Sequence, residues 1–311
     1  MTPQLVTLGE TMAALTTPGI GPLRHARSLD LRVAGAEANV AIGAGRLGVR
    51  TAWFGRVGDD EFGALVRQTL AGEGVDVSGV VVDPDAPTGL LIKEHRTAAV
   101  TRVSYRRAGS AGSRLGPGDV DPAVVGAATV LHVTGITPAL SGSARDAVRF
   151  AVEVARTAGV LVSVDLNHRD GLWAAADAVT EYRWLAARCD LLFVTDAEAA
   201  LLVDGPDPLR ALAALGPAEV MVKRGARGAT ALIDGQVLEA PVFAVTSLDP
   251  VGAGDAFAAG YLAERIHGAP AAQRLRTAAA AGAFAVTVQG DWEGLPNRAE
   301  LELLTAADVH R

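Results

Sequence analysis

The sequence contains a single cysteine, Cys189, so no disulfide can close within the chain and no zinc-type ligand spacing exists. A lone thiol of this kind reads as a small buried hydrophobe and fits a reducing compartment. Aromatic residues are sparse, at 5% of the chain, and the four tryptophans are scattered, so they form no stacking platform for nucleic-acid bases. Basic residues are in deficit. Twenty-eight Lys and Arg against 35 Asp and Glu give a net charge of -7, which argues against a partner with a polyanionic surface, whether nucleic acid or membrane. An anion bound by this chain must be held by a local cluster. Long hydrophobic runs are missing too: the longest uncharged tract, residues 277–290, is mostly alanine and shorter than a membrane span. Met1-Thr2-Pro3-Gln4 leads into an apolar run with no basic region before it, so a cytoplasmic location is expected. No internal repeat, no Walker-type Gly-x-x-x-x-Gly-Lys-Ser/Thr loop and no dinucleotide fingerprint after the first strand are found.

What is present suits one large domain spanning 1–311, with half of its 311 residues hydrophobic. Residues 5–8 form a short apolar run expected to be a buried first strand, and 51–57 another strand, followed by a helix to about residue 70. From residue 130 onward, apolar segments at 130–133, 160–165, 191–194 and 220–223 alternate with amphipathic helical stretches. That order predicts an α/β fold with a mostly parallel sheet covered on both faces, its functional groups gathered at the carboxyl ends of the strands. Segments 29–33, 88–94 and 100–106 alternate apolar and polar residues instead, as half-exposed strands of a small separate sheet would. His132, inside an apolar strand, is expected to be a packed core histidine.

The chemistry concentrates in Asp249-Pro250-Val251-Gly252-Ala253-Gly254-Asp255-Ala256-Phe257. An Ala-rich helix follows, so Gly252, Ala253 and Gly254 sit where it begins, and first-turn N–H groups without intrahelical partners make such a start a site for phosphate. Asp255 lies in the first turn facing the same space, where a carboxylate can take a proton from an attacking hydroxyl. The nine-residue string resembles the C-terminal motif of the ribokinase-like (PfkB) family of sugar and nucleoside kinases, with Pro250 and Val251 in place of two threonines. A second stretch, Ala34-Gly35-Ala36-Glu37-Ala38-Asn39-Val40-Ala41, is similar to the family's Gly-Gly-x-x-x-Asn-x-Ala. Without that context Asn39 reads as a helix-surface amide. The resemblance covers essentially the whole chain and implies a ribokinase-like three-layer sandwich with a small β-sheet lid, its strands inserted at about 22–34 and 88–107. It implies ATP and Mg2+ as cofactors, Asp255 as catalytic base with Gly252, Ala253 and Gly254 as anion hole, and sugar contacts from Gly35 and Asn39. It also implies a homo-oligomer paired through the lid. In parts of the family the loop before this motif holds a monovalent cation; Pro250 and Val251 remove two hydroxyls, so a K+ requirement is left open.

Tyr105, Arg107 and the run to Ser113, together with 135–140 and Asp165-Leu166-Asn167-His168-Arg169, look like the 2-keto-3-deoxygluconate kinase branch. There the Tyr and two Arg grip a keto-acid substrate, which suits guanidinium forks facing a carboxylate. One departure stands out: Thr88-Gly89 leads to Leu91, where that branch commonly has Tyr. On the nucleotide side, Lys223-Arg224-Gly225-Ala226-Arg227-Gly228 could cover phosphates or merely turn a hairpin, and its likeness to Lys-x-Gly-x-x-Gly favours nucleotide contact. Thr195 and Glu198 occupy the place of an Asn-x-x-Glu motif, whose Glu organises magnesium through water. The expected activity is ATP-dependent phosphorylation of 2-keto-3-deoxy-D-gluconate at O6. The alternatives are a kinase for a neutral ketose such as fructose or for another sugar acid, and a catalytically silent sugar-binding protein.

Overall fold

The computed structural model describes residues 2–97 and 100–305. Residues 98–99, where the sequence leads one to expect part of a polar turn, and the ends of the 1–311 span lie outside the described residues. Strands β1 (Leu5–Leu8), β2 (Met12–Thr16) and β3 (Asp30–Ala34) precede helix α1 (Ala36–Arg46). Then come β4 (Thr51–Phe54), β5 (Arg56–Gly58), α2 (Glu61–Gly72), β6 (Val81–Asp83), β7 (Leu90–Thr97) and β8 (Val100–Arg106). The second half runs α3 (Pro122–Gly126), β9 (Val130–Thr134), α4 (Gly142–Ala158), β10 (Leu161–Asp165), α5 (Ala175–Ala186), β11 (Leu191–Thr195), α6 (Asp196–Leu202) and α7 (Pro208–Ala213). It closes with β12 (Glu219–Lys223), β13 (Ala229–Ile233), β14 (Gln236–Glu239), α8 (Ala253–Ile266) and α9 (Ala271–Ala285).

The main sheet has the order β14-β13-β12-β11-β10-β9-β1-β4, parallel from β12 to β4 and antiparallel at β13 and β14. Its strands are apolar on both faces because both faces are covered. Leu131, Val162, Val164, Leu192, Val194 and Val220 pack against α4, α5 and their neighbours, while Leu5, Val130, Leu191, Phe193 and Met221 face α1, α8 and α9. This alternation is the period-two geometry of a strand expressed in two separate cores. His132 is fully buried between the layers, with Nδ1 2.9 Å from Ser163 Oγ, and burial pulls its imidazole down to about 3, so the ring is neutral. Cys189 is buried, and burial pushes its thiol above the ordinary value.

A second sheet of order β3-β2-β7-β8 stands apart from the first. The stretches 22–34 and 88–107 contribute β3, β7 and β8 to it, and residues 23–25 form a short 3-10 turn. Sequence patterning passes over β2, whose Met12-Ala13-Ala14 follows Gly9-Glu10 without alternation. The expected strand at 51–57 is in fact two, β4 and β5, divided at Gly55: β4 stays in the main sheet and β5 pairs with β6.

Helix α8 is gripped by small residues on two sides. A Cβ placed on Gly43 of α1 would come within 2.8 Å of Ala259 Cβ, and one on Gly260 within 2.9 Å of Ala278 Cα in α9. Close approach of three helix backbones fixes the direction in which the start of α8 points. Gly260→Ala should therefore destabilise the protein by about 1–3 kcal/mol through overpacking, readable as a lower midpoint in urea unfolding.

Candidate active site

Helix α8 begins with a glycine because nothing else fits. Gly252 is the N-cap, with φ of 80°, and a Cβ there would overlap the carbonyl oxygen of Asp291. It brings no side chain to cap the helix, so the N–H groups of Ala253 and Gly254 stay open to the adjoining cavity. Asp255 occupies the third helical position and is buried to 8% exposure. Two amides hold it: Asn39 Nδ2 of α1 donates to Oδ2 at 2.8 Å and Asn167 Nδ2 donates to Oδ1 at 3.3 Å. Burial pushes the Asp255 carboxyl up to about 7; the Asn39 hydrogen bond opposes the rise, Asp165 adds to it, and the Lys223 and Arg169 charges oppose it.

A cavity of about 930 Å3 opens in front of this turn. Gly35 and Asn39 border it from the start of α1, Tyr105 and Arg107 from the end of β8, and Arg169 from the loop after β10. Thr195, Glu198 and Lys223 face it from the carboxyl ends of β11 and β12, with Gly225 and Gly228 beyond. All the residues singled out from the sequence thus meet at one cavity. Part of its lining is apolar, with Val242, Phe243, Val245, Ala283 and Val286.

The electrostatics differ from what the sequence suggested in two places. Arg107 is already paired: its Nε donates to Glu10 Oε2 at 2.6 Å, its Nη2 lies 2.5 Å from the same oxygen, and Ser110 Oγ donates to Glu10 Oε1 at 2.5 Å. Glu10 lies after β1 and is itself buried, so Arg107 brings little net charge to the cavity. Arg169, by contrast, is exposed, and its guanidinium donates to the His168 carbonyl at 3.1 Å. Glu198 closes a capping box at the start of α6: Oε2 accepts from Thr195 N and Oε1 from His168 N, both at 2.7 Å. Gly225 to Gly228 do turn a hairpin, since β12 and β13 are antiparallel neighbours, and they border the cavity as well.

Residues that sequence reasoning missed are Glu10, Glu37, Lys93, Asn167 and Asp291. Glu37 is buried beside Asn39 and accepts from Thr134 and Thr137 hydroxyls at 2.7 Å each. Asn167 has φ of 43°, a conformation that Asn tolerates better than most residues, and this turns its amide toward Asp255. Lys223 bonds Asp165; burial lowers its affinity for a proton, but the Asp165, Glu198 and Asp255 carboxylates more than offset this and hold it charged. Two buried acceptors here lack a donor, Asn39 Oδ1 and Asp165 Oδ1. Buried acceptors are ordinarily satisfied, so both are suited to a hydroxyl, water or cation brought by a ligand.

An open helix start, a buried carboxylate of raised pKa and an arginine just beyond a strand's carboxyl end thus border one cavity. The chain matches the pfkB family carbohydrate kinase over residues 2–298. It is 39% identical to a 2-dehydro-3-deoxygluconokinase of Thermoproteus tenax, over 97% of this chain and 94% of the relative. It is 38% identical to a 2-dehydro-3-deoxygalactonokinase of Haloferax volcanii, over 94% and 93%. A crystal structure of a candidate ribokinase II from E. coli, in complex with ATP and Mg2+, superposes with a TM-score of 0.91 at 28% identity, covering 97% of this chain and 99% of that one. The fold is ribokinase-like, and the chain belongs to the PfkB family of carbohydrate kinases.

Proposed function

We propose that the protein transfers the terminal phosphoryl group of ATP to the 6-hydroxyl of 2-keto-3-deoxy-D-gluconate or a close epimer. The observation that carries the reaction is Asp255, buried at the open start of α8 with two amides fixing its oxygens. In this reading Asp255 accepts the proton of the sugar hydroxyl as that oxygen bonds to phosphorus and the bond to the departing ADP oxygen breaks. The N–H groups of Gly252, Ala253 and Gly254 face the charge that develops on the transferred group. Asn39 Oδ1, lacking a donor, is suited to accept from a sugar hydroxyl; Gly35 borders the same cavity, and a side chain there would collide with the Glu10 carbonyl and Thr11.

The apolar part of the cavity lining, with Val242 and Phe243, suits an adenine ring, and Thr195, Lys223, Gly225 and Gly228 line the same cavity as the helix start. The residues present also fit magnesium held through water: the buried Asp165 Oδ1 lacks a donor, and the Glu198 carboxylate borders the same cavity. Glu198 and Asp165 would hold the ion through water beside the phosphates. When bound, magnesium neutralises charge on the phosphates. The second sheet serves as the lid over the sugar in this reading. Its edge strands β3 and β8 and its exposed Leu31, Val100 and Val103 favour pairing between copies of the chain.

The choice of a sugar acid rests on Arg169 and on the relatives that share its family branch. Arg169 is the accessible guanidinium, and Arg107 and Tyr105 line the same cavity.

Four outcomes are expected. Asp255→Asn should keep the fold and lose about 10²- to 10⁴-fold in kcat, measured by coupled ADP release. In the free enzyme Asp255 is protonated below about pH 7, so kcat/KM should fall as pH drops through that value and level off above it. Arg169→Ala should cut kcat/KM for a keto-deoxy acid about 10- to 100-fold, as for loss of a charge-assisted hydrogen bond, with a much smaller effect on fructose. Arg107→Ala is a poorer probe of substrate charge, because it also strands Glu10 and should cost about 3–5 kcal/mol of stability in denaturant unfolding.

A further inference from the structure

Lys93 is a lysine on the inward face of β7, with its side chain only 2% exposed. Burying an ammonium is costly unless it is paired, and this one is paired twice. Its Nζ bonds the Asp291 carboxylate and lies 3.4 Å from Asp249 Oδ2. Burial alone would lower its affinity for a proton, but the Asp291 and Asp249 carboxylates outweigh this and hold it protonated.

Both carboxylates belong to the frame around Gly252. Asp249, 2% exposed, accepts from Val251 N at 3.1 Å through its other oxygen, and so fixes the peptide just before the N-cap. Asp291 presents its backbone carbonyl to Gly252 so closely that a Cβ could not fit. The segment holding Asp291 is also fastened to the second sheet: Trp292 Nε1 donates to Val33 O at 3.0 Å and Arg32 Nη1 to Gln289 O at 2.8 Å. Without Lys93, two buried carboxylates would face each other beside the helix start with no counter-charge.

We propose that Lys93 is a positioning residue: its ammonium, carried by the second sheet, is the built-in counter-ion of Asp249 and Asp291 and holds the Val251–Gly252 turn in shape. The turn then needs no monovalent cation from solution. The consequence for rate rests on the kinase reading above, whereas the consequence for the turn itself does not.

The test compares wild type and Lys93→Met in potassium chloride and in tetramethylammonium chloride at equal ionic strength, reading turnover with Mg-ATP and 2-keto-3-deoxygluconate and, separately, thermal unfolding. Wild-type turnover should be the same in both salts within about twofold, since no ion enters the turn. Lys93→Met should lose about 10- to 100-fold in kcat, with a smaller change in KM, because the anion hole is displaced rather than the sugar site. Potassium, small enough to enter the vacated space between the carboxylates, should restore much of that loss and raise the melting temperature of the variant but not of wild type; tetramethylammonium should do neither. Lys93→Arg, which keeps the charge, should fall between the two. Several-fold activation of wild type by potassium would overturn the proposal, as would a folded Lys93→Met with full activity or one whose turnover and melting are both indifferent to potassium. If wild type has no turnover on any sugar, the kinase reading fails, and the melting comparison still decides the role of Lys93. If Lys93→Met does not fold, the salt response of wild type and the activity of Lys93→Arg decide it.

Discussion

The structure depends on keeping negative charge inside it in balance around one helix start. Asp165, Asp249, Asp255 and Asp291 all lie within the first turn's surroundings, each at most 10% exposed as a residue or side chain. Carboxylates so crowded and so poorly hydrated repel one another, and burial raises the proton affinity of Asp255 and Asp291. Two lysines supply the balance, Lys223 from the main sheet beside Asp165 and Lys93 from the second sheet between Asp249 and Asp291. Neither lysine bonds Asp255 directly. It is held by the neutral amides of Asn39 and Asn167 instead, and so keeps a proton affinity suited to exchange near neutral pH.

This arrangement explains the division of labour between the layers. The main sheet brings Asp165, Thr195 and Lys223 to its carboxyl edge because parallel strands all end on one side. Close packing of α1, α8 and α9 through Gly43 and Gly260 sets where α8 begins. The second sheet contributes charge as well as cover: Lys93 reaches the helix-start loop, and Arg107 returns to the buried Glu10 that follows β1. That sheet is therefore tied to the start of α8 by ion pairs as well as by hydrogen bonds.

Much of this was legible in the sequence, and the reasons it was legible are physical. Strands β9 to β12 are apolar on both faces, so they declare themselves as runs, and the boundaries fall within a residue or two of the expected ones. Gly252-Ala253-Gly254-Asp255 is a local arrangement, readable because an open helix start needs only adjacent residues. The ion pairs were not legible, since Glu10 meets Arg107 and Lys93 meets Asp291 across long stretches of chain. One signal was available for Lys93: in β7 the alternation places it on the same face as Leu91, and a charged residue on an inward face calls for a buried partner. Strand β2 was missed because Met12-Ala13-Ala14 is apolar without alternation, being buried on both sides. Asn167 was missed because its role depends on a left-handed backbone turn that no pattern announces.

The measurement that bears most directly on the account is ADP release by wild-type protein with Mg-ATP against a panel of 2-keto-3-deoxygluconate, its galactonate epimer, gluconate, fructose, ribose and adenosine. The account predicts turnover concentrated on the two keto-deoxy acids, with the neutral sugars and the nucleoside far behind. Turnover led by fructose or ribose would contradict the carboxylate role given to Arg169, and silence across the panel would contradict the assignment of Asp255 as the base of a sugar-acid kinase.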